Sequence, residues 1–435
     1  MPRARTRRRF LKEAGALAAS IPLFSTLQAA DPAPKRTERL RVAVIGVAGQ
    51  GAYNMGEVHR TKLADIVALC DVDENRAAVA RKQFPKARFT TDYRRLFDQK
   101  DIQAVVIATP DHHHALAAAA ALRSGKHVYC EKPLTHSVHE SRVLMDLAAR
   151  NKLVTQMGTQ IHAGDNYRRV AEIVQAGVLG PVRRVHVWCN RRPDEGFRAR
   201  KQTRPPAGLH YDLWLGPAPE RPYHPSHLHF NWRWWWDFGG GVLADMGCHF
   251  MDLPHWALNL GSPTSISATG RVLHKADNLV PSIMQVEYEY PARGNSPAVH
   301  LTWYHGVAGP DLAGKVTHAG FPNGVLFEGA KGSLVADYSN YRLLPQERFR
   351  DFEPPKPSIA RSIGHHREWL EAIRRGGTTT CNFAYSGLVS EAVLLGNVSY
   401  RVGGRILWDA KTARVTNNDK AAQYLRRGYR KGWTL

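Results

Sequence analysis

The feature that most constrains the fold is a short apolar run that ends in a cluster of glycines. LRVAVIG, residues 40–46, is a continuous run rich in β-branched residues, as expected for a central parallel strand. GVAGQG, residues 46–51, follows directly and opens a helix. A strand, a tight glycine turn and a helix in this order bring backbone N–H groups close to a pyrophosphate. The pattern predicts a dinucleotide-binding fold.

An acidic residue at the end of the next predicted strand strengthens this prediction. The glycines of the turn are Gly46, Gly49 and Gly51, and Ala48 stands where the usual fingerprint has its middle glycine. Asp71 ends the strand IVALC, where a carboxylate can accept hydrogen bonds from the ribose hydroxyls of the cofactor. Because a carboxylate there repels a 2′-phosphate, we expect NAD rather than NADP.

The pattern of strands and helices changes near residue 160. Up to that point apolar strands alternate with Ala-rich helices, which predicts a doubly wound parallel sheet over residues 40–160. Beyond it, a segment rich in Pro, His and Trp leads into strands with alternating polarity, such as SIMQVEYEY. The chain is therefore expected to be an α/β protein in which residues 161–435 form an α+β domain with a large, mostly antiparallel open sheet.

The N-terminal stretch has the composition of an export signal. TRRRFLK, residues 6–12, precedes a short apolar run and small residues near Ala29. This closely resembles a twin-arginine signal over residues 1–30, followed by a linker over residues 31–39. We therefore expect a periplasmic or otherwise exported protein.

The formal net charge of +22 first suggests a nucleic-acid partner. Residues 1–30 contain six Lys or Arg and one Glu, a net +5, which leaves +17 for the rest of the chain. These charges are scattered and form no recognisable nucleic-acid module, so we expect a solvated basic surface and no nucleic-acid partner.

No run of roughly eighteen apolar residues occurs, so no membrane span is expected. The five cysteines lack CxxC spacing, which favours buried thiols.

A second group of polar residues follows three glycines in GGGVLADMGCHFMD, residues 239–252. On a helix, Asp245, His249 and Asp252 would lie within roughly 60° of one another on a single face. The spacing alone leaves three interpretations open: a metal site, a catalytic pair or a solvated helix face. Because the dinucleotide site already supplies redox chemistry, we favour a catalytic pair and expect no metal.

A run of three histidines, residues 112–114, is a second possible metal cluster. Three successive residues at the start of a helix point in different directions, which argues against a shared ion. We expect His112 and His113 to be surface residues.

EKP at residues 131–133, taken with the glycine fingerprint and the TPDHHHA stretch before it, resembles the Gfo/Idh/MocA oxidoreductases. The resemblance covers nearly everything after about residue 40. It implies a Rossmann domain, an open-sheet α/β domain and a nicotinamide at their junction. The essential lysine of the family's EKP motif corresponds to Lys132, and its Asp and His, four residues apart on a helix, correspond to Asp245 and His249. The expected cofactor contacts are completed by Gln50, Thr109, Pro110, His114, Glu131 and Lys132.

The chemistry can also be argued from the side chains. Oxidation of a secondary alcohol needs a base for the hydroxyl proton while hydride leaves the same carbon. His249, with an ordinary imidazole pKa near ~6.5, is the expected acceptor, and Asp245 would orient it or bond a substrate hydroxyl. Lys132, as a cation, would polarise the developing alkoxide or share in the proton transfer.

Residues near two stretches are expected to contact the substrate. One stretch follows a strand of the first sheet at its carboxyl end, where ligands of α/β folds bind. The other precedes the predicted catalytic helix and is rich in tryptophan, whose flat face suits a sugar ring. The expected contacts are Gln160, His162, Tyr167, Arg191, Trp232 and Arg233.

Export affects the expected mechanism, because twin-arginine export carries folded proteins and no dinucleotide pool exists outside. We hypothesise that NAD stays tightly bound and is regenerated within each turnover. One mechanism passes hydride from one sugar or polyol to another. The other is a redox-neutral glycosidase acting through a transient 3-keto sugar, which needs an extra base for which His162, Tyr211 and His227 are candidates.

A non-catalytic sugar sensor is disfavoured by the intact Lys132, Asp245 and His249. The resemblance also implies a homo-oligomer formed through the C-terminal sheet.

Overall fold

The computed structural model describes residues 38–192, 203–274, 277–306 and 320–435. The predicted export signal, residues 1–30, and most of the predicted linker lie outside the described residues. Among the residues that are described, no helix is both long and apolar enough to cross a membrane.

Six parallel strands form the first sheet, as the alternation of strands and helices predicted. The strands are β1 (Leu40–Ile45), β2 (Ala64–Cys70), β3 (Arg88–Thr90), β4 (Ala104–Ile107), β5 (His127–Glu131) and β6 (Thr155–Gly158). Their order across the sheet is β3-β2-β1-β4-β5-β6, and every neighbouring pair is parallel. The order in which successive strands are added reverses between β1 and β4, which is where such sheets bind ligands.

Both faces of this sheet are covered, which explains why β1 reads as an unbroken apolar run. Val42 and Val44 pack in one hydrophobic cluster, while Ala43 and Ile45 pack in another on the opposite face. The covering helices are α1 (Gln50–Arg60), α2 (Glu74–Gln83), α3 (Asp111–Arg123) and α4 (Val138–Asn151).

A mixed nine-stranded sheet follows in the second part of the chain. Its strands are β7 (Val182–Cys189), β8 (Ser265–Arg271), β9 (Ile283–Tyr290), β10 (Val299–His305), β11 (Gly324–Gly329), β12 (Gly332–Ala336), β13 (Tyr341–Leu344), β14 (Ile406–Asp409) and β15 (Arg414–Val415). The order is β13-β12-β11-β7-β10-β9-β8-β14-β15, and only β7 and β10 pair in parallel. The prediction of a mostly antiparallel second sheet is confirmed.

Helices of the second part connect the two sheets. They are α5 (Asp165–Gln175), α6 (Tyr211–Leu215), α7 (Gly241–Phe250), α8 (Asp252–Leu258), α9 (His365–Arg375), α10 (Phe383–Val402) and α11 (Ala422–Leu425). The long helix α10 packs against α4, α7 and β8, so its buried face is shared by both parts of the chain. A Cβ at Gly247 would lie 2.8 Å from Cγ2 of Val393, so this glycine allows α7 to lie close to α10.

The glycine turn after β1 is held by close backbone contacts. Gly46 has a φ of +78°, and a Cβ there would lie 2.6 Å from the carbonyl oxygen of Ala108. A Cβ at Gly51 would lie 1.7 Å from the carbonyl oxygen of Gly46, a distance that no relaxation of a side chain can relieve. These two glycines therefore set the approach of α1 to the sheet.

We expect Gly51→Ala to lower the free energy of unfolding by about 2 kcal/mol or more, because backbone must move to admit the methyl group. Gly56→Ala is the matched control on the same helix, since nothing lies within 4 Å of its added Cβ. That control should be neutral or stabilising by up to about 1 kcal/mol. Chemical denaturation of both variants measures the difference, and equal stabilities would contradict this account of the turn.

Candidate active site

A cavity of about 640 Å³ opens at the carboxyl ends of β1, β2, β4 and β5. Helix α7 and the segment around Trp232 form its other wall. Most residues predicted from the sequence to bind cofactor or substrate line this one space. They are Gly46, Ala48, Gly49, Gln50, Asp71, Thr109, Pro110, Glu131, Lys132, Gln160, Arg191, Trp232, Arg233, Asp245 and His249.

The glycine turn forms one end of the cavity and suits a pyrophosphate. Helix α1 begins at Gln50 with no side-chain cap and no acidic residue in its first turn. The N–H group of Gly51 already donates to the carbonyl oxygen of Ala48 at 3.1 Å, so the remaining N–H groups of the first turn and the positive end of the helix dipole are what an anion would meet. The residues present fit a dinucleotide cofactor.

Asp71 lies at the same end but is more constrained than the sequence suggested. Its two carboxylate oxygens accept backbone N–H groups, from Val47 at 2.9 Å and from Asp73 at 3.0 Å. Burial raises the pKa of Asp71, and these two hydrogen bonds oppose the rise. A ribose hydroxyl would use the lone pairs that remain. Arg76 also lines this end, so a cation accompanies the carboxylate at the place that was expected to exclude a 2′-phosphate.

Glu131 ties several of the predicted cofactor contacts together. Its Oε1 accepts hydrogen bonds from Asn54 at 2.8 Å, from Gln160 at 2.8 Å and from Gln50 at 3.2 Å. Burial raises the pKa of Glu131, while the bonds from these amides favour its charged form. The network fixes the side chain of Gln50 in the glycine turn relative to the end of β5, directly before Lys132.

Lys132 and Asp245 meet in the middle of the cavity wall. The Lys132 Nζ donates to Oδ1 of Asp245 at 2.8 Å and to its backbone carbonyl at 2.6 Å. Arg233 Nε donates to Oδ1 at 2.9 Å, and Arg191 Nη1 donates to Oδ2 at 2.8 Å. Burial would raise the pKa of Asp245, but the charges of Lys132 and Arg233 outweigh it and hold the pKa well below its usual range. Asp245 is therefore a carboxylate that positions cations, whereas the sequence analysis expected it to orient His249 or bond a substrate hydroxyl.

His249 follows Asp245 by one helical turn, and its ring faces the same cavity. None of the described residues forms a hydrogen bond with the ring nitrogens. Burial and the nearby charge of Lys132 lower the pKa of His249 to about 3. The ring is thus neutral at neutral pH and free to bond a ligand, although its pKa lies well below the value near ~6.5 that the sequence suggested.

Asp252 does not share the face of Asp245 and His249, because α7 ends at Phe250 and a new helix begins at Asp252. Both oxygens of Asp252 lie 3.0 Å from Nδ1 of His162, and Tyr385 donates to the same carboxylate at 2.7 Å. The His162 ring is buried, stacks on Trp256 and lies outside the cavity wall. The predicted substrate contact by His162 is thus replaced by a buried hydrogen bond to Asp252 that supports α8.

Two other predicted ligand contacts lie behind the cavity wall. Tyr167 is fully buried, and its hydroxyl donates to the backbone carbonyl of His249 at 3.3 Å, so it supports the end of α7. His114 is also buried, and its two ring nitrogens each lie 2.8 Å from a carbonyl oxygen, those of Thr109 and Pro133. This ring links the segment that follows β4 to the segment that follows β5 and contains Lys132. Gly51 contributes only the close backbone approach described above.

The prediction that His112 and His113 are surface residues is wrong. Both are buried, and their Nε2 atoms lie 2.9 and 2.8 Å from the carbonyl oxygen of Trp214. Because residues 203–238 fold over this part of the first sheet, the start of α3 is covered instead of exposed. His113 lines the cavity, and its pKa is lowered by burial to about 4.

Asp111 is the functional candidate that the sequence analysis missed. It is the first residue of α3, lines the cavity and is only 3% exposed, yet none of the described residues forms a hydrogen bond with its carboxyl. Burial raises its pKa to about 8, against the opposing charges of Arg233 and Lys132. The sequence signal that could have identified Asp111 was an acidic residue at the start of the helix that follows a parallel strand, inside the TPDHHHA stretch.

Tyr211 and His227, considered above as extra bases, bond each other at 3.1 Å outside the cavity wall.

The fold and the cavity together define a class of protein, the Rossmann-type nucleotide-binding oxidoreductases that carry a second α/β domain. Comparison with known families agrees with this class. Residues 40–159 match the oxidoreductase family with an NAD-binding Rossmann fold, and residues 165–435 match its C-terminal alpha/beta domain. The chain belongs to the Gfo/Idh/MocA family.

Relatives with named activities match only part of the chain. The levoglucosan dehydrogenase of Pseudarthrobacter phenanthrenivorans is 37% identical over 195 residues, 43% of this chain and 41% of the relative. A glycosyl hydrolase family 109 protein of Shewanella sp. is 30% identical over 199 residues, 40% of this chain and 43% of the relative. The matches thus span less than half of these curated relatives. The solved structure of GenD2 from gentamicin A biosynthesis, in complex with NAD, covers 87% of this chain and 99% of its own, with 22% identity and a TM-score of 0.60.

The raised pKa of Asp111 predicts a specific pH dependence of stability. Between its ordinary value of 3.8 and about 8, the folded state keeps a proton that the unfolded state releases. The contribution of Asp111 to stability is therefore full below that window and is lost as the pH rises through it. Asp111→Asn cannot ionise, so wild-type stability minus variant stability should fall by at least about 2 kcal/mol between about pH 5 and pH 8.

Denaturation of both proteins across this range measures the difference and cancels the contributions of other titrating groups. Parallel stability curves would contradict the assignment of a protonated Asp111.

Proposed function

We propose that the protein oxidises a secondary alcohol of a sugar, polyol or sugar derivative, with a nicotinamide bound in the cavity as the hydride acceptor. The observation that carries this proposal is the position of Lys132. Its ammonium group is held by Asp245 in the wall of the same cavity that the glycine turn opens, beside the ring of His249, which bonds to none of the described residues. Alcohol oxidation requires from the protein a cation beside the reacting oxygen and, next to it, a neutral group that accepts the hydroxyl proton.

In the proposed reaction, the hydroxyl oxygen of the reacting carbon binds Lys132, whose charge stabilises the developing alkoxide. The hydroxyl proton passes to His249, whose ring is neutral at neutral pH and lies beside Lys132 in the cavity wall. Asp245 holds the Lys132 side chain in place but does not itself take up a proton. The bound NAD supplies the chemistry of hydride acceptance.

The proposal of a carbohydrate substrate rests on the relatives and on the aromatic wall. Levoglucosan dehydrogenase is named for a sugar derivative, and inositol 2-dehydrogenase, 28% identical over 223 residues, is named for a polyol. Trp232 lines the cavity with its ring beneath the guanidinium of Arg233, 4.2 Å from the ring centroid. Flat aromatic surfaces beside polar groups suit the faces and edges of a sugar ring.

A second candidate function is redox-neutral glycoside hydrolysis through a transient 3-keto sugar. Similarity to the family 109 hydrolase favours it, and so does Asp111, an additional carboxyl in the wall that plain alcohol oxidation does not require. A carboxyl with a pKa near neutrality can both give and take a proton, as elimination and water addition demand.

Three further parts of the proposal concern the whole protein. We propose that residues 1–30 direct export by the twin-arginine pathway, that NAD rather than NADP remains bound during export, and that copies associate through the nine-stranded sheet. Tight retention is supported by the argument that an exported enzyme has no cofactor pool with which to exchange.

Substitution of Lys132 tests the proposed chemistry. Lys132→Gln should lower the single-turnover rate of NADH formation with the best sugar of a panel by about a hundredfold to a thousandfold, because the alkoxide loses its cation. NAD binding, followed by quenching of tryptophan fluorescence, should change little. Lys100→Gln, at an exposed position, is the matched control and should retain full activity. A fully active Lys132→Gln enzyme would refute the assignment.

The pH dependence of kcat/KM tests the role of His249. Because its pKa is about 3, the ring stays neutral down to mildly acidic conditions. Activity should therefore persist from about pH 7 to about pH 5, where an ordinary histidine with a pKa near ~6.5 would already be protonated. A fall in wild-type kcat/KM on the acid side near pH ~6.5 that disappears in His249→Asn would show that His249 titrates like an ordinary histidine. That result would contradict the prediction.

The two candidate functions are separated by assays without added cofactor. An oxidoreductase yields oxidised sugar and reduced NAD, whereas the hydrolase releases the aglycone of an aryl glycoside and leaves the redox state of NAD unchanged. Release of aglycone by the wild-type protein would establish the second candidate, and NADH formation from free sugars without it would establish the first.

A further inference from the structure

Arg191 has an unusual arrangement for a residue that only supports Asp245. Its Nη1 donates to Oδ2 of Asp245 at 2.8 Å and to Sδ of Met246 at 3.5 Å. Its guanidinium lies over the rings of Phe230 and Trp234, 5.1 and 5.9 Å from their centroids. The opposite edge, formed by Nε and Nη2, makes no hydrogen bond to any of the described residues. An edge of two parallel N–H groups, fixed in place beside a cavity, is suited to a carboxylate.

Arg233 reinforces this arrangement from the other side of Asp245. Its Nε donates to Oδ1 at 2.9 Å and its Nη1 donates to the carbonyl oxygen of Phe230 at 3.2 Å. The guanidinium lies over Trp232 and Phe230, 4.2 and 4.5 Å from their ring centroids. Both arginines are therefore oriented before a ligand arrives, which reduces the entropy lost on binding.

The charges at this end of the cavity do not balance. Among the described residues, Lys132, Arg191 and Arg233 contribute three positive charges around Asp245. The carboxyl groups that oppose them are those of Asp245 and of Glu131, which precedes Lys132. The neighbouring carboxyl of Asp111 has its pKa raised by burial to about 8 and so remains mostly protonated at neutral pH. The excess is positive, and Arg191, with 37% of its side chain exposed, is the cation that faces the open part of the site.

We propose that the substrate is a sugar acid, a carbohydrate whose carboxylate binds the Nε and Nη2 edge of Arg191. The inference rests on the proposed function, since it assigns the substrate class of the same site. A neutral sugar would leave this edge without a partner in a partly dehydrated cavity. The phosphates of the cofactor have their own donors in the glycine turn, so they do not require Arg191.

Binding to the full-length, NAD-saturated wild-type protein tests the inference by comparing matched sugars. Isothermal titration with glucuronate against glucose, and with galacturonate against galactose, varies only the carboxylate within each pair. In at least one pair the acid should bind at least about tenfold more tightly, and this preference should weaken as salt is added. If no acid in the panel binds more tightly than its neutral partner, the inference is overturned.

Variants of Arg191 then locate the carboxylate. Arg191→Lys keeps the charge but removes the paired N–H groups, and Arg191→Gln removes both. Both variants should lose most of the preference for the acid, the second more completely. Arg150→Gln is the control for net charge, because this exposed arginine pairs only with Asp146 on the surface of α4. An unchanged preference in folded Arg191→Gln would contradict the assignment.

Binding and turnover are read separately, so the inference and the proposed function can fail independently. A preference for acids without any oxidation would sustain the inference and refute the proposed oxidoreductase. Oxidation of neutral sugars with no preference for acids would support the proposed oxidoreductase and overturn the inference.

Discussion

The hydrogen-bonded ion pair between Lys132 and Asp245 is the interaction on which the site depends. Lys132 follows directly after β5 of the parallel sheet, and Asp245 lies on α7 of the second part of the chain. Both side chains are nearly buried, and Asp245 is the carboxylate that Lys132 shares with Arg191 and Arg233, so loss of Asp245 would leave three neighbouring cations without their common partner, which commonly costs several kcal/mol. The pair thus couples the relative position of two structural parts to the place where, in the proposed reaction, a cation meets the reacting oxygen.

Other contacts around the cavity serve the same geometry. Glu131 links the glycine turn to the end of β5, immediately before Lys132. His114 links the carbonyl oxygen of Pro133, directly after Lys132, to that of Thr109, which follows the neighbouring strand β4. Tyr167 supports the carbonyl of His249 from beneath. These residues act on the reaction by keeping other residues in place, which explains why some of them resembled ligand contacts in the sequence.

The sequence predicted the parts of the molecule that follow from local rules. Apolar runs, glycine spacing and strand–helix alternation determined the parallel sheet and the glycine turn, because these patterns depend on near neighbours in the chain. It could not predict that the helix breaks before Asp252, that residues 203–238 cover His112, or that burial sets the pKa values of Asp111 and His249. Those properties depend on contacts between residues far apart in sequence, which spacing on an ideal helix does not describe.

The central claim is that a hydride leaves a sugar carbon next to Lys132 for a nicotinamide in this cavity. The most direct measurement uses a sugar deuterated at the carbon that is oxidised, followed by mass spectrometry of the nicotinamide cofactor released on unfolding. The account predicts deuterium in the reduced cofactor from the wild-type protein, and none above background from Lys132→Gln. Product formation with no deuterium in the cofactor under single-turnover conditions would contradict it.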